Sequence, residues 1–226
     1  MAEAALKLIM FDFDGTLVDS QHSIVAAMGA AFEGEGLAAP GHEKVRRVVG
    51  LNLESAIDAL VPREARSAVD TLAARYRETF FKMRTAEDFH EPLFPGVHEI
   101  LGALQQGESL LGIATGKNRR GLLASMERHG LAGYFTLLKT ADDGPSKPHP
   151  EILRQAMAEI GVGPRDTMVV GDTTYDMIMA RNAQAWALGV SWGYHPPEEL
   201  TAAGAFNVLT SFDELHPALA VLEQAP

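Results

Sequence analysis

Cysteine is absent from the 226-residue sequence, which excludes disulfides, thiolate metal ligands and cysteine nucleophiles. Long apolar runs are also missing, because no segment approaches the ~20 consecutive apolar residues that a membrane-spanning helix needs. The start, "MAEAALKLIM", contains an acid, one lysine and no long apolar stretch, so it does not resemble a secretion signal. These absences predict a cytoplasmic protein that does not associate with membranes.

Positive charge is in short supply as well. The 19 lysines and arginines face 30 acidic residues, which gives a net charge of −11. A protein that binds nucleic acid or anionic membranes normally carries a basic stripe, so neither partner is expected. An anionic small molecule stays possible as a substrate, since one metal ion or lysine can reverse the potential inside a single pocket.

Short apolar runs alternate with helix-like segments along most of the chain. The runs lie at 6–13, 109–115, 134–138, 167–171 and 185–192, and the helix-like segments lie at 96–106, 118–129, 149–160 and 174–183. This alternation is typical of an α/β fold, and the continuous apolar character of the runs indicates parallel strands buried on both faces. We therefore predict a doubly wound, mainly parallel sheet.

The interval 20–90 interrupts this rhythm. It contains long helical patterns, such as "EARSAVDTLAARYRETFFKM", and no convincing strand. We predict a small all-helical domain here, called the cap below, inserted after the first strand and lying above the sheet. The α/β core then comprises 1–19 and 91–226, and its tail from about 193 contains a last loop, a short strand and a terminal helix.

Two aspartates, Asp12 and Asp14, close the first apolar run in "FDFDGT". Ligands of open α/β sheets bind beyond the carboxyl ends of the strands, and a period of two sends both side chains the same way. Burying such carboxylates unpaired costs roughly several kcal/mol, so a cation is expected beside them. A calcium loop is a poor alternative, because Leu17 occupies the position where that loop needs glycine.

Two further segments follow predicted strands. Thr115 and Gly116 lie between a strand and a helix, where free amides and a hydroxyl favour an anion, although Thr115 could simply cap the helix. Lys147 precedes a proline, which favours an extended backbone. That lysine is either a cation aimed at the sheet edge or an ordinary solvated side chain.

The segment "GDTTYD" adds a second pair of carboxylates. Asp172 directly follows a buried strand, and Asp176 lies four residues further on. Asp172 could be only a helix N-cap, but the apolar neighbours of the pair favour a metal site. Because all these side chains lie at the carboxyl ends of parallel strands, the fold brings them together. Carboxylate oxygens suit Mg²⁺, a hard cation that joins protein to substrate phosphate.

"DFDGT", Thr115, "SKP" and "GDTTYD", in this order, resemble the motifs of the haloacid dehalogenase-like hydrolase superfamily. "GTLVDS" and "KPHP" are similar to its phosphoglycolate phosphatase-like members. The resemblance implies a Rossmann-like core with a helical cap. It also implies that Asp12 attacks phosphorus and becomes an aspartyl phosphate, and that Asp14 is the general acid and base. Thr115 and Lys147 would then hold the phosphoryl group.

The resemblance also implies a metal-ligand set. The side chains of Asp12 and Asp172 and the backbone carbonyl of Asp14 would bind Mg²⁺, and Asp176 would bind it directly or through water. Dehalogenation is not expected, because the dehalogenases of the superfamily lack the aspartate at the position of Asp14.

Substrate contacts are expected from two places. The second motif of the superfamily often contains Thr-Asn-Lys, whereas this chain has Gly116 before Lys117, and Asn118 is a candidate replacement for the missing amide. In the cap, a guanidinium of Arg46 or Arg47 could hold a carboxylate or a second phosphate. The alternative is that one or both arginines lie on the solvent-exposed face of a helix.

The leading hypothesis is a Mg²⁺-dependent phosphatase of a small phosphorylated metabolite, with phosphoglycolate as the first guess. Alternatives are a hydrolase of sugar phosphates, nucleotides or pyrophosphate, and less favoured ones are a phosphomutase or a catalytically silent binding protein. A phosphonate hydrolase would need a cap lysine, for which Lys44 and Lys82 are candidates by type only. A monomer or a homodimer is expected.

Overall fold

A computed structural model describes residues 8–107 and 109–223, so the beginning of the first predicted strand, at 6–7, lies outside the described residues. Its strands form one six-stranded parallel sheet in the order β3-β2-β1-β4-β5-β6. The strands are β1 (Leu8–Phe11), β2 (Leu110–Ala114), β3 (Leu137–Lys139), β4 (Thr167–Gly171), β5 (Trp186–Val190) and β6 (Asn207–Leu209). The predicted fold class is confirmed.

The helices follow the predicted pattern closely. Four lie between β1 and the return to the sheet, namely α1 (Gln21–Gly34), α2 (His42–Arg46), α3 (Leu53–Leu60) and α4 (Val69–Arg84). The core helices are α5 (Val97–Gln105), α6 (Arg119–Arg128), α7 (Glu151–Ile160), α8 (Thr174–Asn182), α9 (Pro197–Ala203) and α10 (Leu215–Glu223). The helical insertion after the first strand is therefore present, while the limits given above for the two domains stay a prediction.

Two details differ from the sequence-based prediction. The third strand covers only Leu137–Lys139, because the chain is still in a turn at Tyr134, whose amide donates a hydrogen bond of 3.1 Å to the carbonyl of Leu131. The tail contains an unpredicted helix, α9, where Pro197 occupies the first helical position that suits its fixed φ. Neither difference moves a candidate site residue.

The sheet is buried on both faces because successive side chains of each strand point to opposite sides. On β1, Ile9 and Phe11 join one hydrophobic cluster with residues of α5, α6 and α10. Leu8 and Met10 join a second cluster, against α7, α8 and α9. The uninterrupted apolar run of the first strand follows from this two-sided burial.

The cap has a hydrophobic cluster of its own, in which α1 packs along α4. Its buried members include Met28, Phe32 and Leu72, and the core contributes Tyr194 to it. The chain enters and leaves the cap side by side, because Val18 and Leu93 form an antiparallel bridge. Through the described ranges of the chain, no helix is sufficiently long and apolar to cross a membrane.

Candidate active site

The candidate site lies at the carboxyl edge of the sheet, where β1 and β4 end side by side. Phe11 pairs with Val170, and the backbone amide of Asp12 donates a hydrogen bond of 2.8 Å to the carbonyl of Val170. Asp12 and Asp172 are each the first residue after their strand. The parallel register therefore brings these two carboxylates together.

Three carboxylates, those of Asp12, Asp172 and Asp176, form a buried cluster. One oxygen of each lies within 4.8 Å of the others, and each residue is at most 1% exposed. The buried ammonium of Lys147, from the loop after β3, donates a hydrogen bond of 2.7 Å to Asp176 Oδ1. The same Nζ lies 2.9 Å from Asp12 Oδ1. The four predicted residues are thus adjacent.

Charge balance in this cluster is incomplete. Burial raises the pKa of Asp12 to about 7, against the opposing effect of Lys147 and with a smaller contribution from Asp176. Burial also raises the pKa of Asp172 well above its usual range, and the charges of Asp12 and Asp176 add to the shift. Burial lowers the pKa of Lys147, but the neighbouring carboxylates outweigh it and raise the pKa overall.

Asp172 and Asp176 are held by different partners. Asp172 accepts hydrogen bonds from Thr16 Oγ1 at 2.7 Å and from the amide of Tyr194 at 2.9 Å. Thr173 is the N-cap of α8, and Asp176 Oδ2 completes a capping box with its amide and hydroxyl. The alternative that Asp172 is only an N-cap is therefore wrong.

The loop after β5 supports the site, although none of its residues was among the predicted site residues. The backbone amide of Tyr194 donates a hydrogen bond to the Asp172 carboxylate. Gly193 lies so close to Asp172 that a Cβ at this position would overlap the Asp172 side chain. A signal was present, because "SWGYH" follows a buried strand and so reaches the same sheet edge as the other motifs.

The cluster fits a divalent cation. Both oxygens of Asp12 are buried, and among the described residues Oδ1 has its ion pair with Lys147 while Oδ2 has no hydrogen-bond partner. Such oxygens are costly unless a cation or another donor reaches them. The candidate metal ligands are all carboxylate oxygens, and the positive charge of one lysine balances only part of the negative charge of three acids. A hard cation such as Mg²⁺ suits this set.

Asp14 lines the same cavity as Asp12 but pairs with a different lysine. Each oxygen of its carboxylate lies 2.9 Å from Lys117 Nζ, and both side chains are nearly buried. The carboxylate of Asp14 is not part of the three-residue cluster. The two aspartates of the first motif therefore lie in distinct electrostatic surroundings, since the chain leaves the strand after Phe11 and turns at Gly15.

Thr115 lies in the cavity wall and is 2% exposed. Its backbone amide donates a hydrogen bond to the carbonyl of Lys139, and its hydroxyl accepts a hydrogen bond from the backbone amide of Lys117. Asn118 caps α6 through a bond of 2.7 Å from Gly121, so the alternative that Thr115 caps this helix is wrong.

Gly116 has a reason to be glycine in the contact between core and cap. A Cβ at this position would overlap the backbone carbonyls of Gly50 and Leu51 in the cap. An asparagine side chain at Gly116, as the superfamily motif often has, therefore does not fit this arrangement. Close packing of the cap on the core replaces the side-chain contact that is missing here.

Arg46 and Arg47 lie outside the cavity. Arg46 bonds to Gln21 and donates to the backbone carbonyls of Gly193 and Tyr194, both at 3.2 Å. Arg47 forms an exposed ion pair of 2.8 Å with Glu199. Neither predicted alternative describes Arg46, because its guanidinium ties the cap to the loop that supports Asp172.

A cavity of about 420 Å³ lies between cap and core and opens onto Asp12, Asp14 and Thr115. Its remaining wall is mostly apolar and comes from α1 to α4 and the loop between α2 and α3, and the core adds residues of the segment 116–121. Lys44 and Lys82 are exposed and do not line it. The geometry gives neither lysine a part in the site.

Comparison with known proteins agrees with this geometry. Residues 9–190 match the family model described as haloacid dehalogenase-like hydrolase. The chain belongs to this family. The resemblance found in its motifs is thereby confirmed, and the carboxylates at the sheet edge lie within the matched range.

Similar proteins of this hydrolase family bear phosphatase names. The chain is 34% identical to "Probable phosphatase IndB" of Dickeya dadantii, over 92% of this chain and 91% of that protein. It is 31% identical to a phosphoglycolate phosphatase of Vibrio parahaemolyticus, over 98% and 99% of the two chains. A hydrolase from Pseudomonas syringae superimposes with a TM-score of 0.82 and 25% identity, over 95% and 98%. This haloacid dehalogenase-like hydrolase is accordingly a phosphatase.

Proposed function

We propose that this phosphatase hydrolyses a small phosphorylated metabolite in a Mg²⁺-dependent reaction, through an aspartyl phosphate on Asp12. The observation that carries the proposal is the Asp12 carboxylate itself. It is buried at the end of β1 and lines the cavity, and its Oδ1 forms an ion pair of 2.9 Å with Lys147 Nζ, while Oδ2 has no hydrogen-bond partner among the described residues. The ion pair leaves Oδ2 available to form a bond to phosphorus.

The proposed metal ligands are the carboxylates of Asp12, Asp172 and Asp176 together with the backbone carbonyl of Asp14. Both oxygens of Asp176 already accept hydrogen bonds, which supports a ligand role through water. The bound cation would supply charge neutralisation, which an anionic nucleophile needs to approach an anionic phosphoryl group.

In the first half of the reaction, an Asp12 oxygen forms a bond to phosphorus while the ester P–O bond breaks. Asp14 gives its proton to the leaving oxygen, and the ammonium of Lys117 stabilises the carboxylate that results. The hydroxyl of Thr115 donates a hydrogen bond to a phosphoryl oxygen. The product of this half is the free alcohol and a phosphoryl group bound to Asp12.

In the second half, Asp14 takes a proton from a water molecule. The oxygen of that water attacks phosphorus, and the bond between phosphorus and the Asp12 oxygen breaks. Inorganic phosphate and the free Asp12 carboxylate result. Throughout, Lys147 stabilises Asp12 and is itself fixed by Asp176, whose other oxygen belongs to the capping box of α8.

The name of a relative 31% identical to this chain suggests phosphoglycolate as one candidate substrate. Sugar phosphates, nucleotides and pyrophosphate could be hydrolysed by the same reacting groups, which contact only the phosphoryl end. A cytoplasmic location, suggested by the composition, and a monomeric or homodimeric state are part of the proposal.

The test compares wild type with Asp12→Asn in a phosphate-release assay with and without Mg²⁺. Wild type is expected to need the metal, and the variant is expected to lose turnover. A single-turnover experiment with labelled substrate should then trap a phosphoenzyme that is stable in acid and labile in base. Asp19→Asn is the matched control, because Asp19 is an exposed aspartate seven positions along the same segment.

The proposal fails if wild type releases no phosphate from any monoester, in which case a silent binding protein becomes the better description. It also fails if Asp12→Asn retains turnover close to that of Asp19→Asn. Retained turnover would mean that water attacks phosphorus directly.

A further inference from the structure

The lining of the cavity between cap and core has two chemically different parts. The reacting part contains Asp12 and Asp14. Much of the other part comes from apolar cap residues, including Met28 from α1 and the aromatic pair Tyr76 and Phe80 from α4, and the Phe80 ring centroid lies 5.2 Å from Lys117 Nζ. The rings of that pair stack with their centroids 5.7 Å apart. A leaving group bound in this cavity therefore meets hydrocarbon and aromatic surface.

The size of the cavity exceeds what a two-carbon leaving group fills. Its volume of about 420 Å³ lies within the range of roughly 300–1,000 Å³ found for pockets that enclose drug-sized ligands. Glycolate would contact only the part next to Asp14 and would leave the apolar wall in contact with water. Keeping that apolar surface in contact with water is unfavourable.

The cations nearest to the apolar wall are already paired. The Lys117 ammonium lies 2.9 Å from both oxygens of Asp14, and the Arg77 guanidinium forms an ion pair with Glu54. A glycolate carboxylate at this depth would compete with Asp14 for Lys117 or lie against hydrocarbon. Burying a charge without its own partner is unfavourable.

The cations without an acidic partner are at the rim. Among the described residues, no carboxylate forms an ion pair with Arg84 or Arg120. Their guanidinium carbons lie 5.7 and 5.4 Å from the ring centroid of Phe81, which is 45% exposed. These three residues also line the cavity, and Phe81 and Arg120 are exposed to solvent, so they form part of its rim. A polar end of the leaving group would therefore be bound at this rim.

The geometry points to a substrate whose leaving group carries an apolar body about the size of an aromatic ring. We propose that this body packs against Tyr76 and Phe80, that its polar end faces Arg84 and Arg120, and that glycolate is a poor leaving group here. The proposal rests on the proposed phosphatase reaction at Asp12 and specifies its substrate class.

The first experiment measures kcat/KM for benzyl phosphate and for 2-phosphoglycolate in saturating Mg²⁺. Both esters release a primary alcohol, so a difference does not reflect an activated leaving group. Since one methylene in a hydrophobic pocket is worth about tenfold or more, benzyl phosphate should be preferred by at least about tenfold. Equal values, or a preference for 2-phosphoglycolate, would overturn the inference and leave the proposed reaction intact.

A pair of variants links the preference to the cavity. Leu53 lines it, and Leu53→Asn puts a polar amide of similar size into the apolar wall. The ratio of the two kcat/KM values should fall by at least about fivefold, by the same reasoning on apolar contacts. Leu123→Asn is the control, because Leu123 is 48% exposed on α6 and does not line the cavity. An unchanged ratio in Leu53→Asn would contradict the assignment.

Binding to Asp12→Asn separates this inference from the reaction mechanism. Calorimetry with the two esters reports selectivity without turnover, and benzyl phosphate should bind at least about tenfold more tightly. Selective binding together with a wild type that releases no phosphate from any monoester would refute the phosphatase mechanism but not the apolar site. Hydrolysis without selective binding would refute the apolar site but not the phosphatase mechanism.

Discussion

Although His129 and His195, whose pKa values burial lowers, stabilise the fold more as the pH rises, the contribution of Asp12 to stability in the absence of a metal should fall. Burial raises its pKa to about 7 in the folded chain, compared with about 3.9 in an unfolded one. Between these values the folded state binds more protons than the unfolded state, so stability decreases with increasing pH. Each pKa unit corresponds to about 1.4 kcal/mol, which gives a total loss of about 4 kcal/mol.

Roughly half of that loss should occur between about pH 5.5 and about pH 8, which amounts to about 2 kcal/mol. Asp172 adds to it, because its pKa is raised by burial and by the neighbouring acids as well. The assay is urea unfolding with a chelator present at both pH values. Asp12→Asn should reduce the difference by about 2 kcal/mol, and Asp19→Asn should leave it unchanged.

Saturating Mg²⁺ should restore stability at the higher pH, because a ligand at 100 times its Kd that binds only the folded state adds about 2.7 kcal/mol. An Asp12→Asn variant whose stability depends on pH in the same way as that of wild type, both free of metal, would refute this reasoning on the carboxylate cluster.

Two further predictions concern the residues beside the reacting carboxylates. Lys117→Met removes the ammonium from Asp14 and should lower kcat by about a hundredfold, which is the lower end of typical acid–base contributions. The test measures kcat across the pH range. A kcat within about twofold of that of wild type would contradict the prediction. Gly193→Ala places a methyl group onto the Asp172 side chain and should weaken Mg²⁺ binding in a calorimetric titration. Gly133→Ala is its control, because no atom lies near the Cβ position there, and equal affinities in the two variants would refute the prediction.

The sheet-edge part of the site could be predicted from the sequence because strand ends in a parallel sheet converge. Asp12, Lys147 and Asp172 each follow a strand, and β1 lies between β2 and β4. Their proximity thus follows from local apolar runs and the right order of motifs. The loop containing Tyr194 obeys the same rule, so its contact with Asp172 was within reach of the same argument.

The cap-facing part could not be predicted, because it depends on how two separately packed units meet. Nothing local to Lys117 indicates that its ammonium reaches Asp14 rather than substrate. Arg46 follows the pattern of a helix surface, but its guanidinium ends on the carbonyls of Gly193 and Tyr194, which lie about 147 positions later. Long-range pairing of this kind has no signature in a sequence window.

The cap's hydrophobic cluster is separate from the two clusters of the sheet, apart from Tyr194. The wall that surrounds the leaving group and the edge that carries the carboxylates thus belong to different packing units. Substitutions in α1 or α4 can reshape the wall at little cost to the sheet, so selectivity is free to diverge between relatives while the reaction is inherited unchanged. Exchanging the helical insertion for that of another phosphatase offers a route to engineering a new preference onto an intact reaction centre.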